Sequence, residues 1–269
     1  MSAENIADLV AACLAGDRED DAAWKAVQQL HHLGSQEVLD AAIHLTRSGD
    51  PDLRARGADI LAQLGVRPGV FSVSFVSERL QALLALLRNE SDPLVLDAAI
   101  IALGHLRELE GILAVLPYCE HPNENVRYAV AWTLPGGAAD DPDVVSTLLK
   151  LMRDADSDVR DWATFGLGSQ TDVDSPLIRD ALFERLQDSD YDTRAEAAIG
   201  LAKRKDLRVL PVVLEELDRE EYGVLFEEAA SHLLDLDSVK PDGWESWRYI
   251  EELQARFNIV AMQPNSPVQ

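Results

Sequence analysis

The chain has 269 residues, 47% of them hydrophobic, and carries 24 Lys and Arg against 48 Asp and Glu, a net charge of −24. No apolar stretch approaches the ~20 residues that would span a bilayer, and the acid excess repels phosphate backbones, whereas a nucleic-acid reader needs a basic stripe. A membrane-spanning protein and a nucleic-acid binder are therefore both disfavoured, and a basic protein becomes the expected partner.

In chain order, the opening "MSAENIADLV" lacks the basic start and apolar core of a secretion signal, so a soluble, cytoplasmic protein is expected. Cys13 and Cys119 lie far apart in apolar helical stretches and read as reduced core residues. "DDAAWKAVQQLHHLG", "QEVLDAAIHLTRS" and "GDPDLRARGADILAQLG" follow, each with apolar residues at three- and four-residue intervals, the mark of a helix with one buried face. An insertion, "GVRPGVFSVSFV" (65–76), holds the one hint of strand alternation, at Phe71, Val73 and Phe75. Helical periodicity resumes in "SERLQALLALLRNE", "DVVSTLLKLMRD", "PLIRDALFERLQD" and "RVLPVVLEELDRE". Gly136-Gly137 reads as a turn, "GWESWRYIEELQARF" as a final capping helix, and 259–269 as a polar, disordered tail.

A repeat underlies these elements. Aligned on Ala23, Arg54, Leu96, Arg127, Arg160 and Arg194, the copies are spaced by 31, 42, 31, 33 and 34 residues. Seven residues beyond each anchor stands a leucine: Leu30, Leu61, Leu103, Leu134, Leu167 and Leu201. Four residues before it, five copies carry Asp50, Asp92, Asn123, Asp156 or Asp190. Such a period indicates a solenoid, here all-α, with about seven antiparallel helix pairs and a C-terminal capping helix. It is expected to run as one unit over 1–258.

The Asp or Asn before each helix is an N-cap, accepting a backbone N–H that lacks an intrahelical partner. Pro51 and Pro93 add proline at the first helical position, where its missing N–H costs nothing. This disposes of the calcium loop suggested by Asp154, Asp156 and Asp158: counting from Asp154, the positions that need Gly and Glu hold Val159 and Phe165. The six histidines form no ligand set, and no zinc, phosphate-loop or nucleophile-elbow motif occurs. No metal, no cofactor and no catalytic residue is expected.

The Asp-x-Asp-x-Arg-x-x-Ala-x-x-x-Leu pattern resembles HEAT repeats of the short, lyase-type class, from about Asn5 to Leu234. The resemblance implies a ladder between neighbouring repeats, pairing Asp52 with Arg54, Asp158 with Arg160 and Asp192 with Arg194. Asn125 stands beside Arg127, and Leu94 with Leu96 breaks the ladder in the third copy. "SDVRDWATFGLG" with "RAEAAIGLAKRKDLRVLP", between Asp156 and Leu217, is further similar to HEAT proteins encoded beside Rhs-type polymorphic toxins, which implies an immunity protein that neutralises a toxin domain.

At about 100° per residue, the anchor and positions +3, +4 and +7 of each second helix face the core, while +2, +5 and +9 face away. In a HEAT solenoid that far side lines the concave groove. It is polar in the first two repeats, at Lys25, Gln28, His32, Arg56, Asp59 and Gln63. In repeats three to five it turns apolar, with Ala98, Ile101, His105, Trp132, Trp162 and Phe165. Such residues opposite a core mean either a binding patch or packing against a neighbouring repeat, and their aromatic content favours binding. The expected partner site is Ile101, His105, Tyr128, Trp132, Asp161, Trp162 and Phe165, with the three large aromatics brought together by stacking and Asp59 at the rim. Three functions follow: a non-enzymatic scaffold that captures a basic protein, a HEAT-like DNA glycosylase using Trp132, Trp162 and Asp161, or a lyase-type chaperone of a chromophore protein. The charge favours the first.

Overall fold

The computed structural model describes residues 3–16, 18–66, 74–219, 224–236 and 244–259, and every regular element among them is helical. The elements are α1 (Ala3–Cys13), α2 (Asp21–Leu33), α3 (Gln36–Leu45), α4 (Pro51–Ala62), α5 (Val76–Arg88), α6 (Pro93–Leu106), α7 (Leu109–Val115), α8 (Glu124–Thr133) and α9 (Pro135–Ala138). They continue as α10 (Pro142–Leu151), α11 (Ser157–Gly168), α12 (Pro176–Arg185), α13 (Tyr191–Lys203), α14 (Leu210–Leu217), α15 (Val224–Leu234) and α16 (Ser246–Phe257). Short 3-10 turns cover Leu116–Glu120 and Leu207–Val209. Taken in pairs from α1 and α2, and counting α9 as an extra turn, these are the HEAT-like helix pairs of an α-solenoid followed by α16. By internal contacts the chain divides into two compact units, Met1–Thr147 and Leu148–Gln269.

In the first unit the second helices pack side by side, α2 on α4, α4 on α6 and α6 on α8; in the second, α11 packs on α13 and α13 on α15. The residues responsible are those of the repeat. All six leucines at +7 are 0% exposed, and Val27, Ala58, Ile100, Ala131, Thr164 and Ala198 at +4 are equally buried. Small residues let the helices approach closely. A Cβ on Gly200 of α13 would sit 2.6 Å from the Cα of Gly168 on α11, so glycine is required where these two helices meet.

Asp50, Asp92, Asn123, Asp156 and Asp190 are N-caps, each accepting a backbone N–H from the first turn of α4, α6, α8, α11 or α13. Position −6 from each anchor caps the cap. Ser48 Oγ accepts the Asp50 N–H, Glu90 that of Asp92, His121 Nδ1 that of Asn123, Asp154 that of Asp156, and Asp188 that of Asp190. The anchor arginines close the motif. Arg54, Arg127, Arg160 and Arg194 each donate to two loop carbonyls, those of residues −6 and −5: Ser48 and Gly49, His121 and Pro122, Asp154 and Ala155, Asp188 and Ser189. The Asp-x-Asp string therefore satisfies backbone donors at a helix start.

The ladder between repeats uses different acids from those the family resemblance implied. Arg54 grips Glu90 at 2.7 and 3.2 Å, and Arg160 grips Asp188 at 2.8 Å through both nitrogens. Arg194 approaches Glu216 at 3.8 Å. Asp52, Asp158 and Asp192 instead occupy first helical turns, where a negative charge suits the helix dipole. The third copy, with Leu96 buried in place of arginine, still receives Arg54 through Glu90. Burial pushes the Glu90 and Asp188 carboxyls up, but the arginine and backbone hydrogen bonds outweigh it and hold both below their ordinary value.

The opposite helix ends attract cations. Arg79, wholly buried, donates to the carbonyls of Leu61, Ala62, Leu64 and Ser74 around the end of α4, and its burial lowers its pKa to about 10. Arg204 donates to Leu167, Gly168 and Gly200 carbonyls at the ends of α11 and α13, and Lys205 and Arg256 reach the His232 and Leu234 carbonyls of α15. Free carbonyls and the negative dipole end are met together.

Gly136-Gly137 lies inside the helical turn α9, where a Cβ on Gly137 would meet the Arg107 carbonyl at 2.8 Å. Phe75 is the N-cap of α5 with φ 54, not a strand residue. The rest of the alternation, Phe71 and Val73 within the insertion at 67–73, lies outside the described residues, as do 220–223 of the seventh pair and 260–269 of the tail. Cys13 is buried and Cys119 half-buried, and both are free thiols. No helix among the described residues is long and apolar enough to cross a membrane.

Leu134→Ala and Leu167→Ala should each cost about 2–5 kcal/mol through lost burial and the cavity left behind, measured by denaturant unfolding. Neutral outcomes at both would overturn the repeat register. Because Asp154 and Asp156 are occupied by backbone N–H groups, calcium at 100 times any relevant dissociation constant should leave Tm unchanged, whereas true binding at that ratio would stabilise by about 2.7 kcal/mol.

Candidate partner-binding faces

The far side of the second helices differs between the units. In the first, a strap covers its beginning. Arg18, in the connection from α1 to α2, binds Asp59 of α4 through two nitrogens at 3.0 and 2.7 Å. Arg56 donates to the same carboxylate at 3.2 Å and to the Arg18 carbonyl, and its guanidinium lies 5.3 Å from the Trp24 ring. Asp59 is consequently 6% exposed and Arg56 3%. Asp59, expected at the rim of a binding site, is an internal counter-ion instead.

Beyond the strap stand Asp97, Ile101 and His105 on α6 and Tyr128 and Trp132 on α8, all half-buried; Ala98 is buried. Trp132 packs inward. Its ring meets that of His105 edge-on with centroids 4.9 Å apart, and a Cβ on Gly104 would lie 2.7 Å from it. His105 Nε2 is 3.1 Å from the Gln63 amide nitrogen, and burial lowers its pKa to about 4, so the ring is neutral and accepts that N–H. Burial also raises Asp97 to about 6, against the attraction of Arg18.

In the second unit no such strap is present among the described residues. Trp162 and Phe165, one turn apart on α11, meet edge-on with centroids 5.5 Å apart, both half-buried. Beside them Asp161 rises to about 7, first by burial and then by the repulsion of Glu196, Asp192, Asp190 and Asp158. Its Oδ1 is buried without a hydrogen bond. Glu196 of α13 is raised as well, chiefly by burial, although Ser169 donates to it. An aromatic pair next to a carboxyl that, like Asp161, is surrounded by other acids accepts a cationic group, because a guanidinium or ammonium neutralises the acid and stacks on the rings.

Of the residues expected in the site, Ile101, His105, Tyr128 and Trp132 belong to the first unit and Asp161, Trp162 and Phe165 to the second. Arg18, Asp97 and Glu196 were missed. Asp97 carried a signal, since it follows its anchor directly as Asp161 does. Arg18 carried none, its partner lying 41 residues away. Among the described residues no cluster of three or more His, Cys, Asp and Glu side chains is arranged to hold a metal ion.

The family model described as HEAT repeats matches residues 80–168 and 145–233. Among solved structures, YibA of Escherichia coli is 24% identical with a TM-score of 0.71, over 94% of this chain and 93% of that one. An archaeal HEAT-like repeats protein of Thermococcus onnurineus is 18% identical with a TM-score of 0.55, over 87% and 97%. The complex of CpcE and CpcF of phycocyanin lyase from Nostoc is 18% identical with a TM-score of 0.49, over 95% and 97%. For YibA and the archaeal protein, at such identities, the likeness is one of fold. No curated protein matches the sequence.

A carboxyl whose folded pKa lies above its unfolded value, about 3.9 for Asp, binds its proton more tightly when folded. The stability this contributes is complete below the unfolded pKa and is lost as pH rises through about 7. Asp161→Asn should therefore melt close to the parent protein at pH 4 and above it at pH 8. A variant less stable at pH 8 would show that Asp161 has a compensating cation.

Proposed function

Because the chain belongs to the HEAT-repeat family, whose stacked helix pairs present extended binding surfaces, we propose that it is a non-enzymatic protein that captures a basic partner. The reading extends to a cytosolic immunity protein that neutralises a cognate toxin domain, as the similarity around Asp156 to Leu217 implied. The observation that carries the capture is the face of α11, where the Trp162–Phe165 pair shares its helix turn with Asp161, whose carboxyl is raised by burial and by Glu196 and Asp192 of α13. A partner's arginine or lysine placed there supplies a cation to Asp161, and the rings supply the apolar anchor. The net charge of −24 steers such a partner from a distance. The same charge opposes the DNA glycosylase reading, since duplex binding depends on neutralising phosphates.

The test uses the product of the reading frame adjacent to this gene. Its association should slow markedly as salt rises to physiological strength, where the Debye length is about 8 Å, with dissociation changing less. Trp162→Ala should lower Tm only modestly and weaken binding by about 2 kcal/mol or more. Trp132→Ala, which removes the packing on His105 and Gly104, should lower stability with affinity following only in step. An acidic partner, a salt-independent on-rate, or full protection by Trp162→Ala against the toxin would defeat the proposal. Tight duplex DNA binding would return the glycosylase.

A further inference from the structure

Helices α3 and α5, the first helices of neighbouring repeats in the first unit, border an open groove of about 400 Å³. Ile43, Ala82, Ala85 and Leu86 supply its apolar lining, and Arg47, Arg54 and Glu90 supply its charges. Arg54 and Glu90 hold each other at 2.7 and 3.2 Å. Arg47 is exposed, and among the described residues its guanidinium has no hydrogen bond or ion pair. In a chain of net charge −24 this groove therefore carries one unmatched positive charge.

The second unit shows what an arginine at this place in the repeat meets. Arg153 stands seven residues before Arg160, as Arg47 stands seven before Arg54. It donates at 2.9 Å to Glu184 of α12, which lies four residues before Asp188, the acid that Arg160 holds. Four residues before Glu90, the acid that Arg54 holds, stands Leu86. The earlier repeat thus keeps the cation but has a buried leucine on the groove wall where its carboxylate would be. A carboxylate brought in on an aliphatic body satisfies both changes. An exposed ion pair contributes little by itself, so the body's contact with the apolar lining matters as much as the charge. The volume lies in the range of small-molecule sites. The net charge repels an acidic macromolecule as a whole, whereas a small molecule with one negative charge responds mainly to the guanidinium beside it. We propose that this groove binds a small aliphatic carboxylate, its carboxylate on Arg47 and its chain against Ile43, Ala82, Ala85 and Leu86.

Isothermal titration calorimetry of the full chain with octanoate should show saturable binding of one molecule per chain. Acetate has the charge without the body, and octylamine has the body with the opposite charge; each should bind about tenfold more weakly or less. Arg47→Gln should weaken octanoate binding about tenfold or more, as expected for loss of a charge-assisted hydrogen bond. Leu86→Glu, which reproduces the Arg153–Glu184 arrangement, should weaken it as well, by giving Arg47 an internal carboxylate. Arg47 is exposed and unpaired, so Arg47→Gln should leave Tm unchanged and keeps the test valid if Leu86→Glu lowers stability. Trp162→Ala should bind octanoate as the parent does, so this proposal and the preceding one stand or fall separately. The absence of saturable octanoate binding, equal binding of octylamine, or full affinity in Arg47→Gln would each overturn it. A glutamate-rich peptide that binds this groove more tightly than octanoate would overturn it too, in favour of an acidic protein partner.

Discussion

The recurring constraint in this fold is the guanidinium at the start of four of the second helices, α4, α8, α11 and α13. From one position it holds two carbonyls of the preceding loop, and in two repeats it also reaches forward to an acid that is itself fastening the next repeat's cap. The loop before α13 is thus fixed both from its own helix, by Arg194, and from the repeat before, by Arg160. A solenoid has no distant contacts to correct a local error, because each repeat meets only its neighbours. Angular precision must then come from short charge-assisted bonds, and Arg rather than Lys suits the task because its planar fork satisfies two acceptors and a carboxylate together.

The same economy of charge orders the rest of each repeat. Carboxylates gather at the N-terminal ends of the second helices, where free N–H groups and the positive end of the dipole receive them. Arg79, Arg204, Lys205 and Arg256 gather at the C-terminal ends, where free carbonyls do the opposite work. Much of the chain's scarce positive charge is consequently committed to backbone, and the surplus of acids is left to the surface. The acidic character that favours a basic partner is in this sense a by-product of how the helices are terminated as well as a property of the face.

Against that background the two faces differ in whether the protein supplies its own cation. At Asp59 it does, through Arg18 and Arg56, and the carboxylate is buried and matched. At Asp161 the surrounding charges are of one sign, and the carboxyl is pushed up to about 7. A buried acid of this kind destabilises the folded chain when ionised, and such a burden is common where a protein surface is built for a ligand. Trp132 and Trp162, equivalent by eye in the sequence, separate along the same line: one is packed upon its neighbour repeat, the other adjoins the acids.

By itself the sequence determined the period, the helix starts and the buried leucines, because each depends on residues within one or two turns. A cap bonds its own helix, proline at the first turn is set by its own φ, and the +3, +4 and +7 positions share a face by helical geometry alone. It also contained the −6 acids, Glu90, Asp154 and Asp188, at constant spacing, although the resemblance directed attention to Asp52, Asp158 and Asp192 instead. What only the tertiary structure decided was which charges meet. Arg18 finds Asp59, Arg54 finds Glu90 and Asp161 finds other acids across separations of tens of residues. Helical periodicity specifies the direction in which a side chain leaves its helix, but the partner it meets is set by the packing of the next helix, whose register no local rule records.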